Sequence, residues 1–340
     1  MDSFAVGDYV FNMFHTNDDF LNAIKADLHE RTPRLVYADW LAEHDAHDRA
    51  ELIRVEEEMR QVPVFADRFW ELKPRRNELR TQVGAEWCGQ MRYGTECEPV
   101  FRHGIPDGWR ERWRLIREFT ERWHRIPMPD IGGRQAEIAV TETRLGRVLP
   151  PSVREWIAVA HDSKSTGPPR PDGYEFRSCV FHDPDRMEDV PGQAALSLLL
   201  QTEGDYYWAI RHDNLNLSDP PVHGYQWADG NFEPDEERNP LAPTVTEFTL
   251  DRALTYTYGN SLGDWVTTQR ADPAAVRREL AATFPPPTRF GNSDIYETEN
   301  LMVYAMPLSG SSDIWFRMMV FKSLAREQMP ASLWEHSNNG

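Results

Sequence analysis

The chain has 340 residues, a formal charge of −18 and 40% hydrophobic residues, with 12 tryptophans and 16 phenylalanines. That composition supplies enough apolar surface for two domains of ordinary size and excludes wholesale disorder. The acidic balance argues against nucleic acid and anionic membranes as partners and for a basic protein.

No apolar run reaches the roughly 20 residues of a membrane span, and the start of the chain, with Asp2 and Asp8, lacks the basic and apolar regions of a secretory signal. The cysteines, Cys88, Cys97 and Cys179, form neither a CxxC pair nor an even disulfide set. Cytoplasmic residence and plain thiols are the expectation, with no structural zinc.

From residue 17 to about 62 the chain reads as short helices. Phe20, Leu21, Ile24 and Leu28 share one helical face, and Thr32-Pro33 is expected to cap and start the next helix. Val36 with Trp40 and Tyr37 with Leu41 form i,i+4 pairs, with Asp39 to one side. Asp48 and Glu51 have the spacing of a capping box ahead of Leu52, Val55, Met59 and Val62. His44, Asp45, His47 and Asp48 could suggest an acid/base or metal cluster, but in a connection between helices Asp serves first as a cap. The run TPRLVYADWLAEHDAHDRAELIRVEEEM, continuing through AEWCGQM and VFRHGIPDGW, resembles the planctomycete-type repeat-companion domain, with Ile105 where that family carries an aromatic. The resemblance implies company with interaction modules and no defined activity.

In WRERWRLIREFTERW, Trp109, Trp113, Ile116 and Trp123 fall on one stripe, and Arg112, Arg114, Arg117, Arg122 and Arg125 on the opposite face. Such a helix could contact phosphates and bases. The interspersed Glu111, Glu118 and Glu121 favour a solvated face of i,i+3 and i,i+4 ion pairs over a packed tryptophan seam. Pro127, Pro129 and Gly132-Gly133 then mark a linker between halves. The expected domains are 1–127, all-helical, and 128–336.

The second half opens with a helix containing Ile138 and Leu145 and stopped by Gly146, then a helix begun by Pro150-Pro151 with Val153, Trp156, Ile157 and Ala160 on one face. After the loop GPPRPDG, YEFRSCVFHDPDR reads as a strand and a turn. ALSLLLQTEGDYYWAIR reads as a hairpin around Glu203-Gly204-Asp205, with Trp208 and Ile210 facing one way. In NLNLSDPPVHGYQW, Pro220-Pro221 removes two amide donors and favours an extended edge, beside which a partner strand could dock while Val222 plugs the core. A helix with Val245, Phe248 and Leu254, a helix start at Asp272-Pro273, the strands NLMVYAMP and DIWFRMMVF, and a short helix from Ser323 complete the chain. The fold class expected is α+β, with a mainly antiparallel sheet flanked by helices.

AEIAVTETRLGRVLPPSVREWIAVA, together with Asp219-Pro220-Pro221-Val222 and VTEFTLDRALTY, resembles the SUKH superfamily of α+β binding domains; His223 stands in its usual aromatic slot. That likeness covers roughly residues 130 to 335 and implies a bacterial immunity protein that neutralises a toxin by stoichiometric binding. The alternatives are a regulatory scaffold or ligand sensor, or an enzyme with an unrecognised carboxylate-lined cleft. No phosphate loop, dinucleotide fingerprint, HExxH, GxSxG elbow or zinc-finger spacing is present. HDPDRMED lacks the glycine and terminal glutamate of a calcium loop and reads as a solvated turn. No cofactor, metal or catalytic residue is expected. The acidic stretch 229–237 offers an electrostatic landing site. The expected partner-binding residues are Trp208, Tyr225 and Trp227 with Asp219, Glu233, Asp235 and Glu236, although each aromatic has a packing role as its alternative.

Overall fold

In the computed structural model, which describes residues 16–27, 30–93, 99–124, 126–163, 181, 183–201, 204–236, 240–255, 267–270, 273–298, 301–307 and 314–320, the chain divides into two compact units, 1–98 and 99–340. The described part of the first is helical: α1 (Asn17–Ala26), α2 (Arg31–Glu43), α3 (His47–Met59), α4 (Asp67–Val83) and α5 (Ala85–Gln90). A capping box between Thr16 and Asp19 starts α1. Its buried Phe20 stacks on Tyr37 of α2, with centroids 5.1 Å apart. Leu28, expected on the same stripe, lies outside the described residues.

Two expected caps are replaced by other partners. Helix α2 begins ahead of Thr32, whose N–H is taken at 2.9 Å by the carboxylate of Glu30. Helix α3 has Ala46 at its N-cap and no side-chain cap. Glu51 turns instead to Arg75 of α4, accepting hydrogen bonds of 2.7 and 2.6 Å; a bidentate charge pair outcompetes a local cap. Asp45 makes the turn between α2 and α3 at φ 59, and His44 Nδ1 sits 2.7 Å from the Trp40 carbonyl.

The second unit is α+β. Its helices are α6 (Trp109–His124), α7 (Gln135–Leu145), α8 (Pro151–Asp162), α9 (Val245–Thr255) and α10 (Pro273–Thr283). One antiparallel sheet holds β1 (Ala195–Leu200), β2 (Tyr206–Arg211), β3 (His223–Ala228) and β4 (Asn231–Pro234), in that order. The other holds β5 (Thr267–Arg270), β6 (Thr288–Phe290), β7 (Ser293–Glu297), β8 (Leu301–Pro307) and β9 (Ile314–Val320), in the order β5-β9-β8-β7-β6. The sequence leads to a single sheet. Two form, and α9 touches both: Phe248 and Arg252 meet Trp208 of β2, while Asp251 accepts the Tyr304 hydroxyl of β8 at 2.7 Å.

The units part at Glu98–Pro99 rather than at 127/128 because α6 belongs to the second. Trp113 and Trp123 are fully buried there, but the arginine face is not the solvated one expected. Arg117 is also fully buried, donating to Asp162 and Glu155 of α8 at 3.0 Å each and to the Pro129 carbonyl at 2.9 Å. Arg122 lies 3.7 Å from Glu297, Arg112 reaches Glu247 at 2.9 Å and Arg114 reaches Asp130 at 3.4 Å. These ion pairs join elements instead of running along the helix; Arg125 lies outside the described residues. The stretch 127–133 is correspondingly clamped inside the second unit, with Gly132 N–H donating to Glu155 at 2.8 Å. Gly146, at φ 63, ends α7, and Pro150-Pro151 opens α8. The strand expected at 174–180, His182 and the helix from Ser323 lie outside the described residues. Among the described residues no helix is long and apolar enough to cross a membrane.

Candidate partner-binding surface

The four-stranded sheet has one face built on Ala195, Tyr207, Ala209, Tyr225 and Phe232, over which the segment before β1 folds to bring Val190 into the same cluster. Burial pushes the Tyr225 hydroxyl above its usual range, with Arg211 opposing the effect. Alternation places Trp227 on the Tyr225 face, one pleat further toward the hairpin end. There the cover stops. Trp227 is 53% exposed, and its indole meets Phe232 edge-on with centroids 5.0 Å apart. The hairpin turns on Asp229 at φ 49 and Gly230 at φ 89, both in the left-handed region that a two-residue type I′ turn requires. Its register, Trp227 opposite Phe232 and Gln226 opposite Glu233, is thereby pinned.

The opposite face is organised around Gly224. A β-carbon there would collide with the hydroxyl and ring of Tyr206, so only glycine lets that ring lie across β3. Tyr206 donates to Asp235 at 2.8 Å and packs on Trp208, with centroids 5.1 Å apart. The Arg252 guanidinium sits 4.6 Å from the Trp208 ring centroid, and Phe248 flanks it.

The seven residues expected to bind a partner therefore separate. Tyr225 is core, and Trp208 lies under α9. Asp219 caps that helix, accepting the Thr246 N–H at 3.2 Å and the Thr246 hydroxyl. Asp235 is half-buried and held by Tyr206. Trp227, Glu233 and Glu236 are exposed around the hairpin, with Asp229 of the expected landing site exposed at its turn, and the structure adds the exposed Asp205, whose carbonyl accepts the Trp227 N–H at 2.8 Å. Among the described residues none of Asp205, Asp229, Glu233 and Glu236 is in an ion pair.

The backbone edges of this sheet are partly taken by the chain itself. Along β1, Val190 N–H donates to the Ala195 carbonyl and Ser197 N–H to the Glu188 carbonyl, both at 2.8 Å. The Asp-Pro-Pro-Val edge, expected to be open to a partner strand, is taken by the chain itself: Val222 N–H donates to the Ala242 carbonyl at 3.0 Å, and the Val222 carbonyl accepts from Leu241 and Ala242. On β4 the register turns Phe232 and Pro234 outward. Gln193 donates to the Phe232 carbonyl at 2.6 Å, and Pro234 has no amide hydrogen.

A second cluster escaped sequence reasoning. Arg147 bonds Asp189 at 3.1 and 3.0 Å, and His212 Nε2 lies 2.9 Å from both Asp189 and Arg147. Burial opposes ionisation of Asp189, but His212 and Arg147 hold its carboxyl below the usual carboxylate range. In the former HDPDRMED run, Asp183 caps a 3-10 turn, Pro184–Arg186, and Arg144 donates to the carbonyls of Pro184 and of Met187, which follows the turn. No group of three or more potential metal ligands clusters among the described residues. Comparison with protein-family models, curated proteins and solved structures finds no match for the chain.

Proposed function

We propose that this chain is a cytoplasmic immunity protein: its second unit binds a basic toxin stoichiometrically at the β3–β4 hairpin and performs no turnover of its own. The observation that carries the reading is Trp227. Among the described residues the large hydrophobic side chains left exposed are Val140, Val148, Leu217 and Trp227, so Trp227 is the one aromatic. Asp205, whose carbonyl accepts the Trp227 N–H, and Asp229 at the turn flank it, and among the described residues neither is in an ion pair; Glu233 alternates to the opposite face of the sheet. An exposed tryptophan in a charged rim is the composition of a binding hot spot, where truncation costs about 2 kcal/mol or more. The rim carboxylates serve encounter rate and partner choice, in keeping with the net charge of −18.

The test is co-expression with the toxin encoded beside this chain, followed by titration of the purified pair. Growth rescue with a one-to-one complex, both lost in Trp227→Ala at unchanged thermal stability, supports the reading. Absence of rescue, or rescue unaffected by Trp227→Ala, overturns it.

A further inference from the structure

We infer that the partner seats an arginine side chain on the Trp227 indole, beside Asp205 and Asp229, and that it does so without adding a strand to the sheet. The inference rests on the protein-binding reading above and narrows it to one contact chemistry.

The first ground is how this chain treats its own indoles. Lys73 sits 4.2 Å from the Trp70 ring centroid, Arg49 5.5 Å from Trp87, Arg110 5.0 Å from Trp109, Arg122 5.3 Å from Trp123 and Arg252 4.6 Å from Trp208. Four of these five cations are arginines. Trp227 is the exposed indole, and no cation of the described residues covers it.

The second ground is charge. Residues 223–236, HGYQWADGNFEPDE, hold neither lysine nor arginine; of their four carboxylates Asp229 lies at the turn two residues from Trp227, whereas Glu233 and Asp235 alternate to the opposite face and Asp235 is bonded by Tyr206. Elsewhere in this unit the carboxylates of Glu155, Asp162, Asp189 and Asp294 are each engaged by arginines. A planar guanidinium can lie on the ring while its edge donates to Asp229 or Asp205, which a compact ammonium does less well. Third, β4 presents one outward amide donor, that of Phe232, because Pro234 has none and Gln193 holds the Phe232 carbonyl. Main-chain augmentation of this edge is restricted to that donor and the Pro234 carbonyl, so recognition falls mainly to side chains.

The test uses the full chain with its tryptophans labelled at the indole nitrogen and three peptides: acetyl-Gly-Arg-Arg-Gly-amide and its lysine and citrulline counterparts. Citrulline keeps the shape of arginine without the charge. The expected result is a saturable shift of the Trp227 indole resonance with the arginine peptide, a weaker one with lysine and none with citrulline. Trp227→Leu should weaken arginine-peptide binding by about 3- to 30-fold, Trp227→Phe by less. Asp229→Asn should weaken it as well, whereas Asp107→Asn, which removes an exposed carboxylate elsewhere, should leave it unchanged. Equal binding of the citrulline peptide, no effect of Trp227→Leu, or equal losses in Asp229→Asn and Asp107→Asn would overturn the inference. An unmoved Trp227 resonance in a chain that still neutralises its toxin through Trp227 refutes the arginine contact and leaves the immunity reading standing. Arginine-specific binding without neutralisation of any toxin does the reverse.

Discussion

Arg117→Met tests the account of the second unit most directly. The substitution keeps the apolar stem and removes a guanidinium that is 0% exposed and donates to Asp162, Glu155 and the Pro129 carbonyl. Stripping one partner from a buried pair costs about 3–5 kcal/mol, because the other charge stays desolvated. Here the abandoned carboxylates each keep one donor, Arg134 Nε at 2.7 Å for Asp162 and Gly132 N–H at 2.8 Å for Glu155. The loss should therefore fall at the low end, about 3 kcal/mol, or roughly 6–12 °C in midpoint for a domain of this size. Calorimetry is the suitable assay, since a chain of two units need not melt in one step, and only the transition of the second unit should move. Asp162→Asn should cost less in the Arg117→Met background than alone, the sign of direct coupling. A loss below about 1 kcal/mol, which is what a solvated pair contributes, would refute the buried-network argument.

Three further outcomes follow from the same packing. His124 is fully buried and burial lowers its pKa to about 3, so below about pH 6.5 the unfolded chain binds a proton that the folded chain refuses. Its contribution to stability is complete above that pH and is lost as pH falls toward 3, by about 1.4 kcal/mol per unit; His124→Phe should flatten urea midpoints between pH 6.5 and 5, and an unchanged slope contradicts the assignment. Gly224→Ala should cost about 1–3 kcal/mol by overpacking against Tyr206, and adding Tyr206→Ala should recover part of it, whereas strictly additive losses argue against the contact. Asp219→Ala should remove about 1–2 kcal/mol of cap energy from α9 while leaving the affinity of the folded protein for its partner unchanged; an affinity loss at matched folded fraction would return Asp219 to the binding surface.

Local signals made the α+β class legible. Gly146 and the Pro150-Pro151 pair end and begin helices through dihedral preferences that act over a few residues, and the β1–β2 hairpin follows from its apolar runs around Gly204. What could not be read is partner choice at a distance. Arg117 has Glu121 at helical spacing, yet its observed partners lie 38 and 45 residues away. Asp219 caps a helix 27 residues on, and Arg147, Asp189 and His212 meet across separations of 42 and 23 residues. Strand periodicity treats Tyr225 and Trp227 alike, since both fall on one face. One is buried and the other exposed because Tyr225 belongs to the cluster with Val190, Ala195, Tyr207 and Phe232, whereas Trp227 lies at its edge against Phe232.

On the proposed immunity reading, the same end effect suits the hairpin to sequestration. Binding spends free energy on freezing whatever was mobile beforehand. Trp227 is restrained in advance by its N–H bond to the Asp205 carbonyl, by Phe232 against the ring, and by a turn whose two left-handed residues fix the strand register. Of its interaction with a partner, little is spent on ordering the indole. Asp205 lies just ahead of β2 and Asp229 in the β3–β4 turn, both tied to paired strands, so a partner need not remodel the sheet to meet them. A surface of this kind selects by charge and by the fit of one side chain to one ring, and replacing Trp227 should therefore alter the dissociation rate far more than the association rate, which the carboxylates govern.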